Sequence, residues 1–288
     1  MDPIIGREEP RRNNRLLALP RLRQFWRFFW PIFDSFCEGC IRDVDTSLAK
    51  KNRKLGSKEP QNRQKLGCAR SLMLIFKKNI CDHHRIIVER NDKLSVLTPA
   101  EFEAAFGLVY LPRIEFAHWK DFVAISRKIG KFCNKGMLDQ KQLALGDYFK
   151  KEIQEPTVPP VRLRWIDETF GWGVFAEQDL KPMDYIGEYG GIVRRKKKSD
   201  LKNAYCFEYS IVKEVYTHYA IDALNHGAIT RFINHSLTPN LMSDLAVYQN
   251  LSHTIFYVSR LIKKGEQLCI NYGPDYWKIR TPPQEFKN

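Results

Sequence analysis

Apolar residues recur at helical spacing in the first half of the chain and give way to short β-like runs in the second. After Thr98 the apolar Phe102, Phe106 and Val109 share one face, which predicts an amphipathic helix. Its start is written in Thr98-Pro99-Ala100-Glu101. Thr98 is an N-cap, Pro99 fills the first helical position, where a missing N–H is harmless, and Glu101 closes a capping box. A second helix is predicted from Trp119 to Phe132, with Phe122, Ile125 and Ile129 inward, and a third from Asp139 to about Lys151. Glu155-Pro156-Thr157-Val158-Pro159-Pro160 then ends helical structure, because proline lacks the donor and crowds the preceding turn. Downstream, Val161–Trp165, Gly173–Ala176, Tyr185–Tyr189, Cys206–Ser210, Tyr219–Ile221, Thr254–Ser259 and Leu268–Tyr272 read as strands between turn signals. There is no internal repeat.

The expected organisation is a basic, largely helical N-terminal region over 1–156, a β-rich domain over 157–280 and a C-terminal tail over 281–288. Within the first region, residues 1–24 read as a mobile Arg- and Pro-rich arm and 25–36 as an aromatic run that docks on the body. The lysine-rich stretch 42–67 reads as a loop. At 288 residues and 43% hydrophobic, the chain is large and apolar enough to bury a substantial core. Its net charge of +14 favours acidic or polyanionic partners. Residues 157–288 hold 17 Lys+Arg against 14 Asp+Glu, so most of the excess lies in the first half. That half could make weak nucleic-acid contacts, with Arg11, Arg12, Arg15, Arg21, Arg23 and Arg27 either on phosphates or in a partner-docking arm. Seven scattered cysteines do not form a disulfide framework, which favours a reducing, intracellular compartment. The apolar run Phe25–Phe36 is broken by Arg27 and Pro31, so neither a signal peptide nor a membrane span is read.

Four ordered segments carry the chemistry. They are Gly171-Trp172-Gly173-Val174-Phe175-Ala176; Tyr185-Ile186-Gly187-Glu188-Tyr189-Gly190-Gly191; Arg231-Phe232-Ile233-Asn234-His235-Ser236 with Pro239-Asn240; and Lys264-Gly265-Glu266-Gln267-Leu268 leading to Asn271-Tyr272-Gly273 and Tyr276-Trp277. Over about residues 160–280 this pattern resembles the SET-domain family of protein lysine methyltransferases. The absence of any cysteine after Tyr272, where many relatives carry a zinc-binding tail, makes it similar to compact bacterial members, including chlamydia-type ones. The resemblance implies a β-rich fold of small sheets with a knot-like crossing, an exception to ordinary chain topology. It implies S-adenosylmethionine as cofactor, held by Gly171, Trp172, Gly173, Tyr185, Arg231, Asn234, His235, Tyr272 and Trp277. It makes Tyr272 and Tyr205 the catalytic tyrosines and puts Tyr205, Phe207, Ile270 and Tyr272 along the lysine channel. Trp172 and Tyr205 are also compatible with plain core positions.

Methyl transfer from a sulfonium needs a neutral amine, an in-line approach and exclusion of water. A phenol can orient the methyl through a weak C–H···O contact, and aromatic walls can hold an ammonium before its proton leaves. No dedicated base stands out. Ile270 occupies a position where relatives often carry Phe or Tyr, which points to di- or trimethylation. The substrate implied is a histone or another lysine-rich chromosomal protein, bound as an added strand. The site of action would be chromatin, in the nucleus of a eukaryote or as a secreted effector. A non-catalytic SET-fold scaffold for chromatin or nucleic acid is the alternative, and automethylation within 50–65 a third reading. The helical half is compatible with a homodimer, and nothing suggests a membrane partner. Cys37-Glu38-Gly39-Cys40 with Cys68, Cys81, His83 and His84 is either a zinc set of unusual spacing or ordinary thiols, the latter being the default. Arg194-Arg195-Lys196-Lys197-Lys198 is either an import signal or a solvated charge run.

Overall fold

The computed structural model describes residues 83–212, 217–278 and 280. The expectations for 1–24, 25–36, 42–67, the Cys37/Cys40 pair with Cys68 and Cys81, and 281–288 lie outside those residues. In chain order the strands and helices are β1 (Ile86–Arg90), β2 (Lys93–Leu97), α1 (Pro99–Phe106), β3 (Val109–Tyr110), β4 (Ile114–Phe116), α2 (Trp119–Asn134), α3 (Gln140–Tyr148) and α4 (Lys150–Gln154). There follow β5 (Val161–Asp167), β6 (Gly171–Ala176), β7 (Tyr185–Glu188), β8 (Gly191–Arg195), β9 (Cys206–Glu208), β10 (Tyr219–Asp222) and β11 (His226–Gly227). The last are β12 (Asn234–His235), β13 (Leu241–Tyr248), β14 (Leu251–Val258), β15 (Gln267–Ile270) and α5 (Pro274–Trp277). Short 3₁₀ turns cover Lys198–Lys202 and Ile229–Phe232.

Two of the helices, α1 and α3, begin at caps written in the sequence. Thr98 Oγ1 accepts from the Glu101 N–H at 3.3 Å, and Glu101 Oε2 accepts from the Thr98 N–H at 2.8 Å. Asp139 Oδ1 caps α3 by accepting from Lys141 N–H at 3.0 Å. Gly107, left-handed at φ 63°, ends α1. α2 sinks Ile125 and Ile129 into the core. The predicted third helix is two, α3 and α4, separated at Phe149. None of these helices is long and apolar enough to cross a membrane.

Among the described residues four sheets carry the β structure, with strand orders β12-β15-β6-β5-β1-β2, β4-β8-β10-β9, β13-β14-β7 and β11-β3. The first half is less purely helical than its periodicity suggests. β1 runs parallel to β5 with Val88 opposite Leu163, β3 pairs with β11, and β4 lies parallel to β8. These strands have two to five residues, and β2 is exposed along most of its length, so no alternation announces them. β8 was hidden in the charge run, and β13 in a sequence without clear alternation. The Pro156–Pro160 stretch stays inside one compact unit, Arg70–Asn288. It is pinned there by buried His84, whose Nε2 donates to the Pro156 carbonyl at 2.7 Å and whose Nδ1 accepts from the Tyr110 hydroxyl at 2.9 Å. Both ring nitrogens of His84 are thus engaged within the protein.

One large core joins Phe102, Ile125, Ile129, Leu163, Val174, Ile221, Phe256 and Leu268. A smaller one joins Leu145, Phe149, Ile153, Ala246, Ile255 and Tyr257. Gly146 seats α3 on β13, since a Cβ there would lie 1.9 Å from the Val247 carbonyl oxygen.

Candidate active site

The short strand β12 lies parallel to β15, with Asn234 opposite Cys269 and His235 opposite Ile270. Buried Asn240 locks this pairing. Its Nδ2 donates to the Gln267 carbonyl at 2.8 Å, and its Oδ1 accepts from Cys269 N–H at 2.9 Å. Two segments far apart in sequence are thereby joined. The Tyr272 N–H donates to His235 Nδ1 at 3.0 Å, which leaves the ring proton on Nε2. The Tyr272 hydroxyl donates to the Ile233 carbonyl at 2.7 Å, so the lone pairs of its oxygen remain to accept. Burial holds this phenol far above the usual tyrosine range, and the neighbouring Tyr276, Tyr189, Cys269 and Tyr205 push it the same way. Tyr272 is therefore a neutral, oriented phenol and not a tyrosinate base.

An aromatic cluster surrounds it. Trp277 stacks nearly parallel to Tyr272 at 6.1 Å between ring centres and edges His235 at 4.9 Å. Tyr276 meets Tyr272 edge-on at 4.7 Å. The Arg280 guanidinium lies 4.3 Å over Tyr276 and donates to the Leu201 carbonyl at 2.7 Å. This tethers the segment after Tyr272 to the Lys198–Lys202 turn.

Tyr205 arrives from the other side. Its N–H donates to Asn203 Oδ1 at 2.9 Å, and its carbonyl accepts from Ala223 N–H at 3.0 Å and the Tyr189 hydroxyl at 3.0 Å. The Arg231 guanidinium covers one face of its ring at 3.9 Å and donates to the Leu224 carbonyl. Behind these residues Arg194 forms a partly buried clamp. It gives two bonds to Asp200 at 2.7 and 2.9 Å and two to Asp222 at 2.7 and 2.8 Å. Asp222 also accepts from Asn203 at 3.0 Å, so the clamp reaches Tyr205 through Asn203. Arg194 therefore leaves the exposed charge run, which reduces to Arg195–Lys198.

The expected site residues sort as follows. Asn234 donates from Nδ2 to the Trp172 carbonyl at 3.2 Å, joining the Gly171-Trp172-Gly173 strand to β12. Trp172 also packs edge-on against Phe106 at 5.1 Å and Trp165 at 5.5 Å, so part of its role is core. Gly171 sits at φ +66°, which favours glycine. At Gly173 a Cβ would meet the side-chain ends of Ile166 and Gln267 at 2.8 Å, so any larger residue there has to displace them. Ile270 ends β15 inside the main core, and Phe207 packs on Tyr189 at 5.0 Å. Tyr185 stands apart. Its ring packs on Phe149 at 5.2 Å in the smaller core, facing a separate cavity lined by Tyr110, Glu152 and Pro156. The tyrosine of that motif at the cluster is Tyr189, whose hydroxyl donates to the Tyr205 carbonyl. The signal that could have found it is the Gly190-Gly191 pair that follows it, where a Cβ on Gly190 would run into the Leu111 carbonyl.

The donor set fits S-adenosylmethionine. The Trp277 indole N–H and Arg231 Nε are buried without hydrogen-bond partners, as is Gln267 Nε2 beside Gly173. Unsatisfied buried donors call for acceptors such as a carboxylate or purine nitrogens, and aromatic faces suit a sulfonium. Burial also pushes the Cys206 and Cys269 thiols up to about 11. At pH 8 their alkylation by iodoacetamide should run roughly 100-fold slower than that of exposed Cys133, because the thiolate is the reactive form. Peptide-resolved mass spectrometry reads this, and equal rates would contradict the burial.

Comparison with known proteins matches residues 171–273 to the SET domain. The human histone-lysine N-methyltransferase EHMT1 is 33% identical over 114 residues, covering 38% of this chain and 9% of EHMT1. The Drosophila melanogaster histone-lysine N-methyltransferase Su(var)3-9 is 34% identical over 114 residues, covering 35% of this chain and 18% of that protein. The chain thus spans under a fifth of either relative's length. A crystal structure of KRYPTONITE in complex with mCHG DNA and SAH aligns with TM-score 0.34 and 28% identity, over 40% of this chain and 24% of that one. With the four motifs in order and the β12–β15 pairing holding Tyr272 beside Asn234, residues 171–273 of this chain are a SET domain.

Proposed function

We propose that this chain is a protein-lysine N-methyltransferase acting on histones or other basic chromosomal proteins at chromatin. The observation that carries this reading is the Tyr272 hydroxyl, turned by its bond to the Ile233 carbonyl beside Asn234. S-adenosylmethionine supplies the electrophilic methyl group. Asn234, His235, Trp172, Trp277 and the glycines at 171 and 173 are the residues assigned to hold it, with Arg231 Nε as a further donor. Tyr189 takes the place first given to Tyr185.

The channel would run between Tyr272, Tyr205, Phe207 and Ile270. Tyr272 orients the methyl through its free lone pairs and excludes water together with Tyr276 and Trp277. The Arg231 cation against Tyr205 disfavours a second positive charge nearby and so favours the neutral amine. No residue among those described is assigned as base, so the amine proton leaves to water. Residues 157–280 form the catalytic module in this reading, with β1 and β2 extending its main sheet. The lysine substrate is supported by the relatives named histone-lysine N-methyltransferases.

The test is cofactor-dependent methylation of a histone mixture, read by mass spectrometry for site and methyl number. Ile270 is smaller than a phenol and pins no water, so di- and trimethyl-lysine are expected. Only monomethyl product at saturating cofactor overturns the Ile270 reading, and no incorporation into any lysine overturns the enzyme.

A further inference from the structure

The solvent face of α2 is a line of cations. Lys120, Lys128, Lys131 and Lys135 are exposed around exposed Ala124, and partly buried Arg127 lies in the same line. At 100° per residue they share one side of the helix, opposite buried Ile125 and Ile129. No acid interrupts the line, because the helix's one carboxylate, Asp121, is buried and accepts from the Tyr219 hydroxyl at 3.0 Å. Lys120, Lys131 and Lys135 make no ion pair among the described residues, and Lys128 lies over the Phe132 ring. At its first turn α2 abuts the end of β8, where Arg195 is 71% exposed and 3.8 Å from Asp121. Exposed Lys197 and Lys198 continue from there to the turn that carries Leu201 and receives Arg280. The basic surface thus leads toward the edge strand β9 and Tyr205.

We propose that this face of α2, with Arg195, Lys197 and Lys198, binds the phosphate backbone of duplex DNA. From Lys120 to Lys135 the line spans about 22 Å at ~1.5 Å per residue, enough to track several phosphates of a duplex. Long unpaired lysines suit phosphates as mobile point charges. A membrane surface fits less well, because the apolar face a lipid-binding helix inserts is here locked in the core by Ile125 and Ile129. A basic substrate tail cannot be the occupant, since it would be repelled. A DNA-wrapped substrate would instead be drawn to the channel mouth by its DNA.

The test measures binding of the full chain to a 30-base-pair duplex across a salt series. It compares wild type with K120A/K128A/K131A/K135A and with a control, K93A/K151A/K181A/K264A, that removes equal charge elsewhere. Alanine keeps the helix. The α2 variant should weaken binding at least tenfold at 100 mM salt and flatten the log–log salt slope by about 3–4, at ~0.9 per lost phosphate contact. The control should change the slope by less than about 1 on the same scale. Equal slopes for the two variants, or an unchanged slope in the α2 variant, overturn the proposal. So does α2-dependent capture by anionic lipid vesicles or polyglutamate with none by the duplex. Because binding is read without methyl transfer, failure here and failure of the enzyme reading are separable.

Discussion

Tyr272→Phe is expected to lower methyl transfer to histones by about 10²–10³-fold, the scale of removing one preorganised polar group from a water-excluded site. The substitution keeps the ring that stacks near Trp277 and meets Tyr276, and removes only the hydroxyl bound to the Ile233 carbonyl. Two things are lost together. The oxygen proposed to orient the reacting methyl disappears, and the Ile233 carbonyl loses a donor, at about 1–3 kcal/mol if buried unpaired. Cofactor affinity should change little, because the assigned holding groups on Trp172, Asn234, His235 and Trp277 remain. Tryptophan fluorescence titration separates binding from turnover. Activity within threefold of wild type, in a protein whose circular dichroism is unchanged, would remove Tyr272 from the reaction.

A second large effect should follow from Arg194→Met. Arg194 sits between Asp200 and Asp222 with side-chain exposures of 14%, 14% and 24%. Its removal leaves two half-buried carboxylates facing each other. Breaking a fully buried pair costs about 3–5 kcal/mol, and partial exposure reduces this to roughly 2–3. For a unit of this size that lowers Tm by about 4–12 °C. The pH dependence has a definite sign. Hydrogen bonds from Arg194 hold Asp200 below the usual carboxylate range, and at Asp222 burial opposes the charge but bonds from Arg194 and the Leu224 N–H prevail. Groups depressed in the folded state stabilise it above the unfolded pKa, near ~4, and lose that contribution as pH falls through the lower folded value. The gap between wild type and variant is therefore full at neutral pH and shrinks below about pH 4. Because the clamp reaches Tyr205 through Asn203, the KM for a peptide substrate should rise about tenfold with a smaller change in kcat. An unchanged KM would confine the clamp to stability.

Local signals were legible wherever one segment suffices to specify its own structure. The α1 capping box, the Asp139 cap and the inward Ile125 and Ile129 need only neighbours three or four residues away. The same holds for the ordered motifs around Asn234 and Tyr272, whose spacing identifies the domain before any contact is known. Other assignments required partners distant in the chain. Tyr185 opens one short strand, Tyr189 directly follows it, and the two look alike in sequence. Packing of Phe149 and Tyr257 claims the first for a separate core, and the Tyr205 carbonyl claims the second for the site. Arg194 read as one more exposed cation until carboxylates 6 and 28 residues away closed around it. Strands as short as β3 and β4 have no signature of their own, since a two- or three-residue strand exists only through the hydrogen bonds its neighbour offers. Periodicity and caps act within a helical turn and are written in the chain. The side a tyrosine faces, or whether a charge is solvated, depends on which distant backbone arrives beside it, and only the folded structure supplies that.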